Sequence, residues 1–168
     1  MKRILLSFCF ISAAVFSSFA QNKKADRDSV ALVKFNKAVA AIEAKDFVII
    51  VDSYDTGNGT FETNTDDANF LSYEKEFVFL QGQIVAGNSN TNKLTVSDYS
   101  QVADKKGNIK INMQVRGFFI TAKIEISLRK GGNVADVIIT PTQGSFKRFS
   151  GEVVPRGESK YFKRSGEI

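Results

Sequence analysis

The segment IKINMQVRGFFITAKIEISL, residues 109–128, decides the fold class. Ile109, Ile111, Met113 and Val115 alternate with Lys110, Asn112, Gln114 and Arg116. Beyond Gly117, Phe118, Ile120, Ala122, Ile124, Ile126 and Leu128 alternate with Phe119, Thr121, Lys123, Glu125 and Ser127. A period of two places every second side chain on one face of an extended strand. The apolar phase flips across Arg116-Gly117, as it does when a two-residue turn, or a glycine bulge variant of it, folds one strand back on the other. This segment predicts an antiparallel hairpin with one apolar face.

Working outward, strand-like runs cover 47–51, 70–74, 77–85, 94–102, 134–140 and 146–154. Turn chemistry separates them, at Ala86-Gly87-Asn88, Lys106-Gly107-Asn108, Lys130-Gly131-Gly132-Asn133 and Gln143-Gly144. These connections are too short for helical crossovers, so successive strands run antiparallel. About eight strands in a meander, apolar on one face, predict a mainly β fold that closes into a barrel, because closure removes exposed edges. A β-sandwich satisfies the same periodicity. Phe47–Val51 is continuously apolar, as a strand buried on both faces would be. In 77–85, Phe77, Phe79, Gln81 and Gln83 share one face and Val78, Leu80 and Ile84 the other. Residues 52–68, rich in Gly, Asn, Asp and Thr, read as irregular, with Phe61 as an anchor.

Before the strands, Leu32, Phe35, Val39 and Ile42 recur at helical spacing. One amphipathic helix is expected from Ser29, its cap, to about Lys45. It covers a barrel opening or packs on the outside. Still earlier, Lys2 and Arg3 precede the apolar stretch Ile4–Phe16, and Ser18-Phe19-Ala20 offers small residues for cleavage. Residues 1–20 read as a signal peptide, 21–28 as a loose leader and 29–168 as a single barrel-like domain. Cys9 sits inside the apolar stretch after Phe8, which is the wrong place for a lipid-acceptor cysteine. The expected product is exported, periplasmic or associated with the outer membrane, is not a lipoprotein, and has no spanning segment once the signal is removed.

Cleavage would leave a chain without cysteine, which excludes disulfides, zinc–thiolate sites and thiol nucleophiles. The chain contains no histidine, so Ser-His-Asp triads and histidine metal sites are excluded as well. Its net charge of +5 falls to +3 without Lys2 and Arg3. That is a solvated surface rather than a footprint for nucleic acid.

The helix ending in AIEAKDFVI (Ala41–Ile49) is followed by NFLSYE (Asn69–Glu74), GNIKINMQVRG (Gly107–Gly117), ITAKIEISLRKGGNVADVII (Ile120–Ile139) and FSGEVVP (Phe149–Pro155). This order resembles the DUF4251 family, secreted Bacteroidetes domains of unknown function, over roughly residues 30–164. The resemblance implies a lipocalin-like β-barrel and an envelope location. It implies no activity and supplies no functional residues.

Two residue sets can carry a function. Phe79, Met113, Ile120, Ile124 and Ile126 would line a ligand cavity if the barrel is hollow, and fill its core if it is not. Asp52, Asp55, Asp66 and Asp67, with Asn58 and Glu62, crowd one loop with the oxygen ligands a hard cation uses, in a spacing that matches no calcium-loop pattern. Asp55-Thr56-Gly57 matches the aspartic-protease triplet, but the chain holds no second copy and the polar context reads as a turn. The expectation is a non-enzymatic envelope module without a cofactor, binding a small amphipathic molecule or an envelope partner. A structural or protein-interaction domain with a filled core is the alternative, and an enzyme using the Asp-rich loop ranks below both.

Overall fold

A computed structural model describes residues 26–168; the expected signal peptide and most of the leader lie outside them. Ten strands form one sheet: β1 (Asp46–Ile50), β2 (Ser53–Asp55), β3 (Phe61–Thr63), β4 (Phe70–Glu74), β5 (Phe77–Gln81), β6 (Thr91–Ala103), β7 (Ile109–Arg116), β8 (Thr121–Leu128), β9 (Val134–Pro141) and β10 (Lys147–Pro155). All pairings between these strands are antiparallel, and β1 pairs with both β4 and β10. Eight strands, β1 and β4 through β10, therefore close into a barrel, and the sandwich alternative falls. The connection from β1 to β4, expected to be irregular, carries the hairpin β2–β3, which extends the sheet from β10.

The decisive hairpin pairs Ile109 with Leu128, Met113 with Ile124 and Arg116 with Thr121. Its apolar row faces inward as the period predicts, with Ile111, Met113, Ile124 and Ile126 fully buried. The turn differs from expectation. It spans 117–120 and is closed by the Gly117 N–H donating to the Ile120 carbonyl at 2.7 Å. Phe118 and Phe119 sit on its tip, 83 % and 66 % exposed, rather than in the strand. Three consecutive apolar residues cannot alternate, so part of the run had to leave the ladder. Gly117 permits the tight closure, because a Cβ there would stand 2.7 Å from the Lys93 carbonyl oxygen.

Helix α1, whose described residues are 26–43, buries Phe35, Ala38, Ala41 and Ile42 in the same apolar cluster as the barrel interior. It leads directly into the start of β1, so it closes the barrel end that also carries the 75–76, 104–108 and 129–133 turns. Two details differ from the sequence reading. Leu32 is 46 % exposed, because the first turns reach beyond the rim. Ser29 lies within the helix, its hydroxyl donating to the Asp26 carbonyl at 2.8 Å, and is not the cap. Lys45, with φ +52°, turns the chain into β1, and its ammonium lies 4.5 Å from the Tyr99 ring centre.

Strands β1, β4 and β5 are buried on both faces. Their outer face carries Val48, Phe70 and Phe79, which form a second apolar cluster with Tyr161. The C-terminal residues 159–168 cross this face as a strap. Tyr161 packs edge-on against Phe70 at 4.7 Å, and the Lys163 ammonium sits 3.4 Å above the Phe79 ring while reaching Glu74 at 3.2 Å. Ile168 continues the strap beside β6, exchanging backbone hydrogen bonds with Thr91 and Lys93.

Burial raises the phenol pKa of Tyr73 and Tyr161, and pushes Tyr99 up to about 12 with a further contribution from neighbouring Tyr73. The unfolded chain would release these protons near pH 10. Folding opposes that release, so these groups make stability fall as pH rises above that value.

Candidate functional site

At the barrel end opposite α1, the connections β5–β6, β7–β8 and β9–β10 meet. Between them lies a cleft of about 420 Å³. Leu80 and Ile139, at the ends of inward-facing rows, form its floor together with Val85. Val85 belongs to a short helix α2 (Gln83–Ala86) that interrupts the strand expected over 77–85. The interruption has a visible cause. Gly82, at φ +93°, turns the chain, and a Cβ there would fall 2.2 Å from Asn69 Oδ1, the oxygen that accepts the Ile84 N–H at 3.1 Å. Gly87, with φ +72°, ends the helix in the left-handed conformation that glycine adopts without strain.

One wall is the β7–β8 turn, with Phe118, Phe119, Ile120 and Thr121. The two rings pack edge to face at 4.6 Å with 88° between planes, so each supports the other at the rim. The opposite wall is the β9–β10 loop, with Pro141, Thr142, Gln143, Gly144 and Ser145. It is tied back to β8 by the Thr142 N–H donating to the Thr121 carbonyl at 2.9 Å. Beyond α2, Asn88 and Asn92 are joined at 3.0 Å, and Asn92 also donates to the Leu80 carbonyl at 3.1 Å. The Asn-rich turn is thus a hydrogen-bonded brace for the mouth.

Among the described residues, Lys147 is the one charged side chain lining the cleft. It belongs to the row of β10 that continues through buried Phe149 and Val153, and it pairs with Ile139 of β9. Its methylene stem extends towards Gly87.

Of the five expected lining residues, Ile120 alone borders this cleft. Met113, Ile124 and Ile126 are closed within the packed interior. Phe79 faces outward beneath the strap, because Val78 and Leu80 take the inward positions of β5. Gln81 also faces outward and is fully buried there, while Gln83 starts α2. Sequence periodicity missed Lys147, Val85 and the Phe118-Phe119 tip; the break in alternation at 118–120 was the one available signal.

The Asp-rich loop uses its oxygens internally. Asp55 Oδ1 accepts the Gly57 and Gly59 N–H groups at 2.8 and 3.1 Å, shaping the β2–β3 turn, so the Asp-Thr-Gly triplet is turn chemistry. Asp66 accepts from the Ala68 N–H at 2.9 Å and from Asn69 Nδ2 at 3.2 Å. Asp52 and Asp67 are both exposed, and partial desolvation, then Glu152, raise the Asp52 carboxyl from its ordinary value. Among the described residues, no three His, Cys, Asp or Glu side chains gather as metal ligands.

No curated protein matches the chain. A solved structure does, a DUF4251 family protein from Bacteroides eggerthii DSM 20697. The two share 28 % identity with a TM-score of 0.69, over 79 % of this chain and 94 % of that one. The family model described as a domain of unknown function (DUF4251) matches residues 31–153. That match takes in residues 31–43 of α1, the whole run from β1 to β9 and most of β10, and the chain accordingly belongs to the DUF4251 family.

Proposed function

We propose that this chain is an exported, non-enzymatic binding module of the cell envelope that takes a small amphipathic molecule in its mouth cleft. The observation that carries the reading is a cleft of about 420 Å³ at the one end of the barrel that α1 does not cover. Its volume falls in the range of small-molecule sites, and it combines an apolar floor with polar side chains at the wall. Export is supported by the charged, apolar and small-residue order of residues 2–20. Among the described residues, no helix is long and apolar enough to cross a membrane. The exposed Phe118-Phe119 pair favours a second reading, in which the tip docks on a protein partner.

Nile red, a neutral dye that brightens in apolar surroundings, separates the two. The protein is expected to bind it with a saturable increase in emission. Ile120→Asp, which puts a charge on the cleft wall at the edge of the apolar core, is expected to weaken binding by about tenfold, or 1.4 kcal/mol. Circular dichroism of the variant would report an unchanged fold. An unchanged dye affinity in the folded variant would contradict the assignment of the cleft.

A further inference from the structure

We infer that the molecule taken by the mouth cleft carries an anionic head group held by Lys147; this rests on the binding reading above. Three connections build the cleft, 82–90, 117–120 and 142–146, and none contains an Asp or Glu. Lys147 therefore sets the sign of charge within it. The ammonium takes part in none of the ion pairs formed among the described residues.

The position of Lys147 is unusual for a solvated surface lysine. It stands in an inward-facing row of β10, paired with Ile139 on the cleft floor, and is half-buried. Asp55 and Asp66, at the same barrel end, have their carboxylates engaged in turns of the β1–β4 connection. The β7–β8 turn lies two strand spacings from β10, about 10 Å away across β9. A head group at Lys147 therefore leaves a short apolar chain room to run over Ile139 towards Ile120 and the phenylalanine tip. Carboxylate and phosphate both fit this chemistry, because a lysine ammonium acts towards either as a point charge.

Four probes of equal chain length isolate the head group: decanoate, decyl phosphate, decanol and decyltrimethylammonium, titrated calorimetrically into the protein below their micelle concentrations. Decanoate and decyl phosphate are expected to bind at least about tenfold tighter than decanol, and the cationic probe more weakly than decanol. Lys147→Met should bring acid and alcohol to equal affinity, and Lys147→Glu should reverse their order. A preference for the acids that survives in Lys147→Met, or equal affinity for all four probes in the unaltered protein, would overturn the inference while leaving the cleft as a binding site. Absence of binding by every probe would overturn both.

Discussion

Gly151→Ala is expected to cost about 3 kcal/mol or more and to lower the melting temperature by roughly 6–12 °C. Gly151 stands where β10 changes partner on one side. Phe149 and Ser150 pair with β2, whereas Val153, Val154 and Pro155 pair with β1 and complete the barrel. On the other side Gly151 remains opposite Ala135 of β9. The backbone of β1 passes directly over this point, and a Cβ on residue 151 would lie 2.0 Å from the Ile50 carbonyl oxygen. That neighbour is backbone within a ladder, not the end of a flexible side chain. Relief therefore means separating β1 from β10 at the closing seam. Gly157→Ala is the control: a Cβ there meets nothing within 4 Å, and thermal melting should be unchanged. Equal melting temperatures for the two variants would show that the seam is looser than described.

Gln81→Leu is expected to have a comparable effect by a different route. The side chain is completely buried yet satisfied at both ends. Its amide donates to the Ala68 carbonyl at 3.0 Å and the Phe162 carbonyl at 2.6 Å. Its oxygen accepts from the Thr91 hydroxyl and from the Arg164 N–H, the latter at 2.7 Å. One residue thus joins β5 to the β1–β4 connection, to β6 and to the C-terminal strap. Leucine conserves the bulk but leaves buried polar groups without partners, each costing on the order of 1–3 kcal/mol unless water reaches it. Water reaches them most easily if the strap lifts. The expected result is a loss of about 3 kcal/mol, with limited proteolysis or hydrogen exchange showing residues 159–168 released while β7 and β8 stay protected. Release confined to the barrel strands, with the strap still protected, would contradict the assigned role.

Much of this architecture could be read from residue order. Alternation in Ile109–Val115 and Ala122–Leu128 places the correct side chains inside, because a period of two leaves no freedom once one face is buried. The Gly-centred turns mark the strand ends closely. What could not be read has a common cause, namely partners distant in sequence. The both-face burial of β4 and β5 needs the strap 159–168, whose SKYFKRSGEI carries no periodic pattern of its own, whereas that of β1 was legible in the unbroken apolar run Phe47–Val51. The burial of Gln81 on the outer face likewise depends on that strap. Helix α2 depends on Asn69, brought from the β1–β4 connection to accept the Ile84 N–H.

The candidate site was legible only in part. Ile120 carries both the strand period and the cleft, and so was found for the strand reason. Lys147 begins a strand after a loop, where a charged residue excites no suspicion. Its inward row becomes visible only when β10 is set against β9. Met113, Ile124 and Ile126 belong to a packed interior, in keeping with an eight-stranded barrel wide enough for its own side chains, and Phe79 belongs to the outer face beneath the strap.

The central claim is that the barrel interior is filled and that binding takes place at the mouth opposite α1. Following backbone and methyl NMR signals while decanoate is added tests it most directly. Saturable shifts are expected to cluster at residues 82–88, 117–121 and 139–147, with the Met113 and Ile124 methyls unmoved. Shifts centred on those interior methyls, or on the 75–76, 104–108 and 129–133 turns at the helix-covered end, would contradict it.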